Sequence, residues 1–228
     1  MVLSKIDCKK IFKAAYENRY TWPKEFKGFK GRCLFIENDK TFEGNFILNK
    51  SFKPEINGIS EENVIKAIGS QLFEVSIHRV KREFDKIHLE NQFQFLNETD
   101  EGLEVEVLGK NEGDKYRLKD KRINMVFRKI HGVIIEIFVD EFFNTDKGCL
   151  SKKYTSQQLE IGTLVPKTNK YEYIDNFKKS DELGIWTLDS RSIGYRDKDD
   201  NQIVQKYKNK LKKYGQKTSL KAKASYVK

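Results

Sequence analysis

The chain has 228 residues, 38% of them hydrophobic and 34% charged, with a formal net charge of +10. This length can bury a core without disulfides or metals and fits one domain with a tail. The 3 cysteines (Cys8, Cys33 and Cys149) are odd in number and lack CxxC spacing, as expected of reduced thiols rather than a disulfide or zinc framework. The first residues carry Lys and Asp early, unlike a secretory signal. The strongest apolar run, 133–139, is too short to span a bilayer as a helix. The expectation is a soluble, cytoplasmic protein.

The charge is unevenly placed. From Lys206 to Lys228 there are nine Lys and no acidic residue, and removing those nine leaves 35 basic against 34 acidic residues elsewhere. The reading is therefore one domain over 1–205 and a flexible Lys-rich tail over 206–228.

The first element reads as a helix, because Cys8, Ile11, Phe12, Ala15 and Tyr16 recur at the spacing of one apolar face. Ser4 or Asp7 can cap it, and Trp22-Pro23 is expected to end it. After Gly28 the period becomes two. Phe42, Gly44, Phe46 and Leu48 face one way, opposite Thr41, Glu43 and Asn45, and residues 31–37 form the partner strand across an Asn38-Asp39 turn. A short third strand is expected near 51–56.

Ser60-Glu61-Glu62 opens a second helix with Ser60 as cap, and Val64, Ile65, Ile68, Leu72 and Val75 make its stripe. Its end lies near His78-Arg79-Val80-Lys81-Arg82. Beyond it, to about residue 205, the alternation reads as strands throughout. Ile87, Leu89, Phe93 and Phe95 form one row, and Leu103, Val105 and Val107 another. Residues 121–130 and 133–139 are joined by a His131-Gly132 turn, with further strands over 149–163, 168–178 and 183–196. The fold class is α+β, mostly β. An N-terminal helix precedes a long antiparallel meander curved into a half-barrel or barrel, with the second helix plugging the concave face.

No catalytic motif, metal spacing or cofactor fingerprint is present, so no catalytic residue, metal or cofactor is assigned. Gly109–Gly113 reads as a hairpin loop rather than a phosphate cradle, since no helix follows it. The candidates are of other kinds. Phe42, Phe46, Phe93, Phe95, Phe127 and Trp186 are expected to line an apolar cavity. Polar candidates are Glu17, Asn18 and Arg19, with the basic cluster His78, Arg79 and Arg82, which could compensate a helix dipole or meet an anion. The tail Lys206–Lys228, with interleaved Tyr and Leu, could engage an anionic partner such as nucleic acid or a membrane surface.

The stretch AAYENRYTW at 14–22, followed by Gly28-Phe29, resembles the opening of domain-of-unknown-function family 3386, found in photosynthetic bacteria, mostly cyanobacteria. The helix leading to His78-Arg79 with Phe84 beyond it, Asn97-Glu98-Thr99-Asp100, the hairpin around Gly132, and Asp175-Asn176-Phe177 are also similar, over roughly residues 5–200. The chain departs from the family's late Ile-Gly-Asp-Tyr-Tyr turn at Glu182-Leu183-Gly184-Ile185-Trp186, and the Lys-rich tail lies outside the resemblance. The resemblance implies a cyanobacterial, cytoplasmic setting and a layout similar to half-barrel lipoprotein carriers and lipocalin-like bilin lyases. It supplies no catalytic residue.

Three functions are carried forward. The first is a non-enzymatic carrier of a hydrophobic or pigment-like ligand. The second is an interaction module for a protein or nucleic-acid partner using the basic tail. The third is a small-ligand, lyase-like enzyme.

Overall fold

The computed structural model describes residues 7–211. Helix α1 spans Cys8–Glu17, and Asp7 caps it by accepting from the Lys10 amide at 2.9 Å. It stops five residues before Trp22, earlier than expected: the Asn18 amide turns back to the Ala14 and Tyr16 carbonyls. The chain then meets the start of a central strand, where the Tyr20 amide donates to the Cys149 carbonyl and the Cys149 amide to the Asn18 carbonyl. These tertiary hydrogen bonds end the helix before Pro23 can act.

Strands β1 (Gly28–Glu37), β2 (Lys40–Asn49) and β3 (Pro54–Asn57) follow. The Asn38-Asp39 turn has positive φ at both residues, as the sequence implies. Helix α2 spans Glu62–Ile77 with Glu61, not Ser60, at its N-cap; the Ser60 hydroxyl donates to the Glu61 carboxylate instead. A helical turn, α3 (Phe84–Ile87), replaces the start of the strand expected from Ile87 and Leu89. Packing decides this, because Phe84 is drawn inward against Phe12 while Ile87 and Leu89 stay exposed.

The remaining chain is a meander: β4 (Asn91–Thr99), β5 (Gly102–Gly109), β6 (Lys115–Lys119), β7 (Arg122–Ile130), β8 (Val133–Thr145), β9 (Gly148–Leu159), β10 (Tyr171–Ser180), β11 (Ile185–Arg196) and β12 (Gln202–Leu211). His131 and Gly132 make the β7–β8 turn, both with positive φ. All twelve strands form one antiparallel sheet in the order β3-β2-β1-β12-β11-β10-β9-β8-β7-β6-β5-β4. The edges β3 and β4 do not pair, so the sheet is an open half-barrel and not a closed barrel.

Strand β12 corrects the domain boundary expected after residue 205. Lys206 to Leu211 pair with β1 on one side, and Lys206 to Lys208 pair with β11 on the other. Tyr207 is buried while Lys206, Lys208 and Lys210 are exposed. What reads as a basic tail with interleaved aromatics is, over these residues, a strand with one wet face. Residues 212–228 and Ser4 lie outside the described residues.

One face of the sheet carries both helices. Opposed residues share a face, which runs from Val105 through Tyr116, Val126, Ile137 and Ser156 to Tyr171. From Arg191 it continues through Tyr207 and Phe35 to Phe42. On this face α2 buries Val64, Ile68 and Leu72 with Phe35, Phe46, Leu48 and Tyr207. Helix α1 buries Cys8, Phe12 and Ala15 in a second core with Phe84, Val105, Val107 and Tyr116. The sheet is too broad for one helix to cover, so two helices cover its two ends.

Candidate functional site

Between the two cores, the inward residues of β8 (Ile135, Ile137 and Val139) belong to neither cluster and stay half-buried. They form an apolar strip on the covered face, with α1 toward one side and α2 toward the other. Arg128 lies opposite Ile135, and Tyr154 opposite Val139.

Charged side chains surround this strip. Arg191 on β11 is 3% exposed. Its Nε and Nη2 donate to the two Asp175 oxygens at 2.7 and 2.8 Å, and Nη2 also donates to the Tyr154 hydroxyl at 2.7 Å. Nη1 donates to Gln71 at 2.6 Å and Glu74 at 3.3 Å, both on α2. All five guanidinium N–H groups are thus used, and Arg191 pins α2 to the middle of the sheet. Burial opposes its charge, but Tyr154, Asp175 and Glu74 hold its pKa well above the ordinary value. The Tyr154 and Tyr173 rings stack 4.6 Å apart beside it. On the α1 side, Arg128 donates to the buried Asp114 at 3.0 Å.

Two further arginines are not neutralised in this way. Arg19 follows α1; its Nε donates to the Tyr16 carbonyl at 2.9 Å, and its guanidinium lies 3.8 Å from the Tyr16 ring centroid. Arg79 follows α2, held by the Trp22 amide donating to its carbonyl at 2.8 Å. Its half-buried guanidinium lies 5.8 Å from the Phe177 ring centroid. Among the described residues neither forms a salt bridge. Burial and the charges of Arg191 and Arg19 bring the Arg79 pKa down to about 10, against opposing pulls from Asp175 and Tyr154.

His78, the C-cap of α2, is exposed. The protein packed around it, then the charges of Arg79, Arg19, Arg191 and Arg82, draw its pKa downward. The segment Tyr20–Trp22 ties the end of α2 to β11. The Tyr20 hydroxyl accepts from the Trp186 amide at 2.8 Å, and the Trp22 ring nitrogen donates to the Trp186 carbonyl at 2.9 Å. The aromatic members of the opening block are therefore structural: Tyr20, Trp22 and Phe29 are buried, and Tyr16 packs on the α1 core.

The aromatic candidates do not line one cavity. Phe42, Phe46 and Trp186 pack in the α2 core, and Phe93 in the α1 core. Phe95 is 46% exposed. Phe127 lies opposite Lys115, one step out of phase with the inward Tyr116–Val126 pair, and so faces the outer side. Alternation groups residues of one strand by face but cannot say which face is covered. Of the polar candidates, His78, Arg79 and Arg82 follow the end of α2, and Arg19 follows α1. Glu17 stays exposed near Lys13, and Asn18 is a cap whose side chain donates to the Lys121 carbonyl. Arg82 is exposed.

The Arg191–Asp175 pair escaped the sequence reading, although a signal exists: each places a charge within an inward row of apolar and aromatic residues, Tyr171-Tyr173-Asp175-Phe177 and Arg191-Ile193-Tyr195. Two clefts lie elsewhere and contain none of the candidates. One of about 690 Å³ is at the β9–β10 loop by Lys167, Lys170 and Arg196, and one of about 360 Å³ lies between β3 and α2. The three cysteines are buried and free of disulfides, and burial raises each thiol's pKa. Among the described residues no three His, Cys, Asp or Glu side chains converge as a metal site, and no helix is long and apolar enough to cross a membrane.

The model of the family described as "Protein of unknown function (DUF3386)" matches residues 3–212. The chain belongs to that family. The DUF3386 match ends one residue past β12, so the family pattern includes the strand that completes the sheet. No curated protein and no solved structure matches the chain.

Proposed function

We propose that this DUF3386 protein is a non-enzymatic carrier that holds a hydrophobic or pigment-like molecule against the covered face of its half-barrel. The observation that supports this is the strip Ile135, Ile137 and Val139, which lies between two packed cores and joins neither. An apolar strip that neither helix covers suits a ligand's apolar body. The layout is analogous to half-barrel lipoprotein carriers and lipocalin-like lyases, an analogy of fold alone. A cyanobacterial, cytoplasmic setting belongs to the same proposal.

Native mass spectrometry of gently purified protein should show a bound small molecule, and the neutral dye Nile red should bind saturably. Ile137→Arg should abolish dye binding while preserving the fold by circular dichroism. If no molecule co-purifies and the dye shows no saturable binding, the carrier reading fails.

A further inference from the structure

We infer that the cleft of about 690 Å³ at the β9–β10 loop binds a hydroxylated phosphate ester, a sugar phosphate or a nucleotide. Its volume falls within the range of small-molecule sites. Lys167 and Lys170 stand on one wall, and Arg196 and Gln202, paired across β11 and β12, on the other. Glu172 and Gly194, paired across β10 and β11, make the floor. Both are one step out of phase with the inward Tyr171 and Ile193, so the cleft opens on the outer face. The site is independent of the carrier reading, which concerns the covered face. Three features carry it.

First, the cleft is built where two strands part. β9 and β10 pair only from Lys153–Ile174 to Ser156–Tyr171, although β9 runs on to Leu159. Beyond that point the loop turns back on β9. The Lys167 amide donates to the Gln158 carbonyl at 2.8 Å, and the Gln158 amide to the Thr168 hydroxyl at 3.0 Å. The Gln157 side chain donates to the Thr168 carbonyl at 3.1 Å. The wall that bears the two lysines is therefore set before any ligand arrives, which lowers the cost of binding.

Second, Gly194 has no structural reason to be glycine. Glycine weakens a strand interior. Gly28, Gly102, Gly109 and Gly148 have positive φ, and a Cβ at Gly31 or Gly44 would lie 2.6 or 2.8 Å from a backbone oxygen. Gly194 lies outside the left-handed region, and a Cβ there would meet nothing within 4 Å. A bare backbone at the floor of a cleft suits close approach by another molecule.

Third, the cations at the cleft exceed the acids. Lys167 and Lys170 form no salt bridge among the described residues; Lys170 Nζ lies 6.0 Å from the Phe138 ring centroid, which neutralises no charge. Arg196 is shared with Asp200 at 3.0 Å. Ammonium groups are point-charge partners for phosphate oxygens. Glu172 on the floor repels a bare anion but accepts from hydroxyl groups, so the fitting ligand carries both a phosphate and hydroxyls.

The test is calorimetric titration of the full chain with ribose 5-phosphate, AMP, ribose and inorganic phosphate. Wild type should bind at least one ester saturably and about tenfold or more tighter than ribose or phosphate. The tighter ester tells sugar phosphate from nucleotide. Lys167→Gln and Lys170→Gln should each weaken that ester about tenfold, the loss of one charge-assisted hydrogen bond. Lys86→Gln, on α3, should leave it unchanged. Gly194→Leu should abolish ester binding without lowering the urea midpoint, because the new side chain enters space that no protein atom occupies. The same variant should keep Nile red binding, so the cleft and the carrier reading fail separately. The site is overturned if neither ester binds saturably, if folded Gly194→Leu binds like wild type, or if Lys86→Gln weakens binding as much as the cleft lysines do. If Gly194→Leu does not fold, the lysine variants decide: selective weakening keeps the site, and unchanged affinity overturns it.

Discussion

Arg191 and Asp175 face each other across β10 and β11, nearly solvent-free, with Nε and Nη2 of the arginine donating to the two carboxylate oxygens at 2.7 and 2.8 Å. The same guanidinium reaches Gln71 and Glu74 on α2. The pair therefore joins sheet pairing to helix docking. Arg191→Met should cost about 3–5 kcal/mol in urea unfolding, because it leaves Asp175 buried and uncompensated. Arg191→Met combined with Asp175→Asn should cost less than the single change. A loss under about 1 kcal/mol for the single variant would remove the pair from any structural role.

His88 should titrate far below an ordinary histidine. It is 6% exposed, and its Nδ1 lies 3.0 Å from the Asn91 side-chain nitrogen, which donates to the neutral ring. Burial, then the charges of Arg128 and Arg19, bring its pKa down to about 4. Between about pH 6.5 and 4 the unfolded chain binds a proton that the folded one does not. Stability therefore falls as pH drops through that window, by up to about 3 kcal/mol from this residue. An NMR titration of the His88 ring with a midpoint near 6.5 would contradict this.

Gly148 should not tolerate a side chain. Its φ is +125°, and a Cβ there would lie 2.4 Å from the Asn18 carbonyl oxygen, where α1 hands over to the sheet. Gly148→Ala should cost about 3 kcal/mol, combining backbone strain with the clash. Gly132→Ala is the comparison: its φ is +81° but the space around it is open, so the cost should be about 1 kcal/mol. Equal melting temperatures for the two variants would sink the argument.

Truncation distinguishes strand from tail. A chain ending at Gln205 loses Lys206–Leu211, the part of β12 that pairs with β1. It should fail to fold, since β1, β2 and β3 then lose their connection to β11. A chain ending at Lys212 retains every described strand and should unfold cooperatively. Cooperative unfolding by the shorter chain would show that β12 is dispensable.

Phe46 and Phe95 should separate core from surface. Phe46 is fully buried and Phe95 is 46% exposed. Phe46→Ala should cost about 3–5 kcal/mol and Phe95→Ser under about 1 kcal/mol. Similar unfolding midpoints would mean that the α2 core is not where the stability resides.

Much of the local structure is written in the sequence. The three-and-four spacing of Cys8, Phe12 and Ala15 makes α1, and Val64, Ile68 and Leu72 make α2. Asn38-Asp39 and His131-Gly132 set two hairpin turns, because those residues tolerate positive φ better than most. Alternation yields most strands and the antiparallel class, and the AAYENRYTW stretch at 14–22 points to the family. These features depend on neighbours a few residues away, which a single chain displays directly.

The tertiary structure alone decided what depends on distant partners. It inserted β12 between β1 and β11, turning Lys206, Lys208 and Lys210 from tail into the wet face of a strand. It turned Phe127 outward and placed Asp175 against Arg191. Hydrogen-bonded register and the need to cover a broad apolar face fix these relationships, and neither is a property of any local stretch of residues.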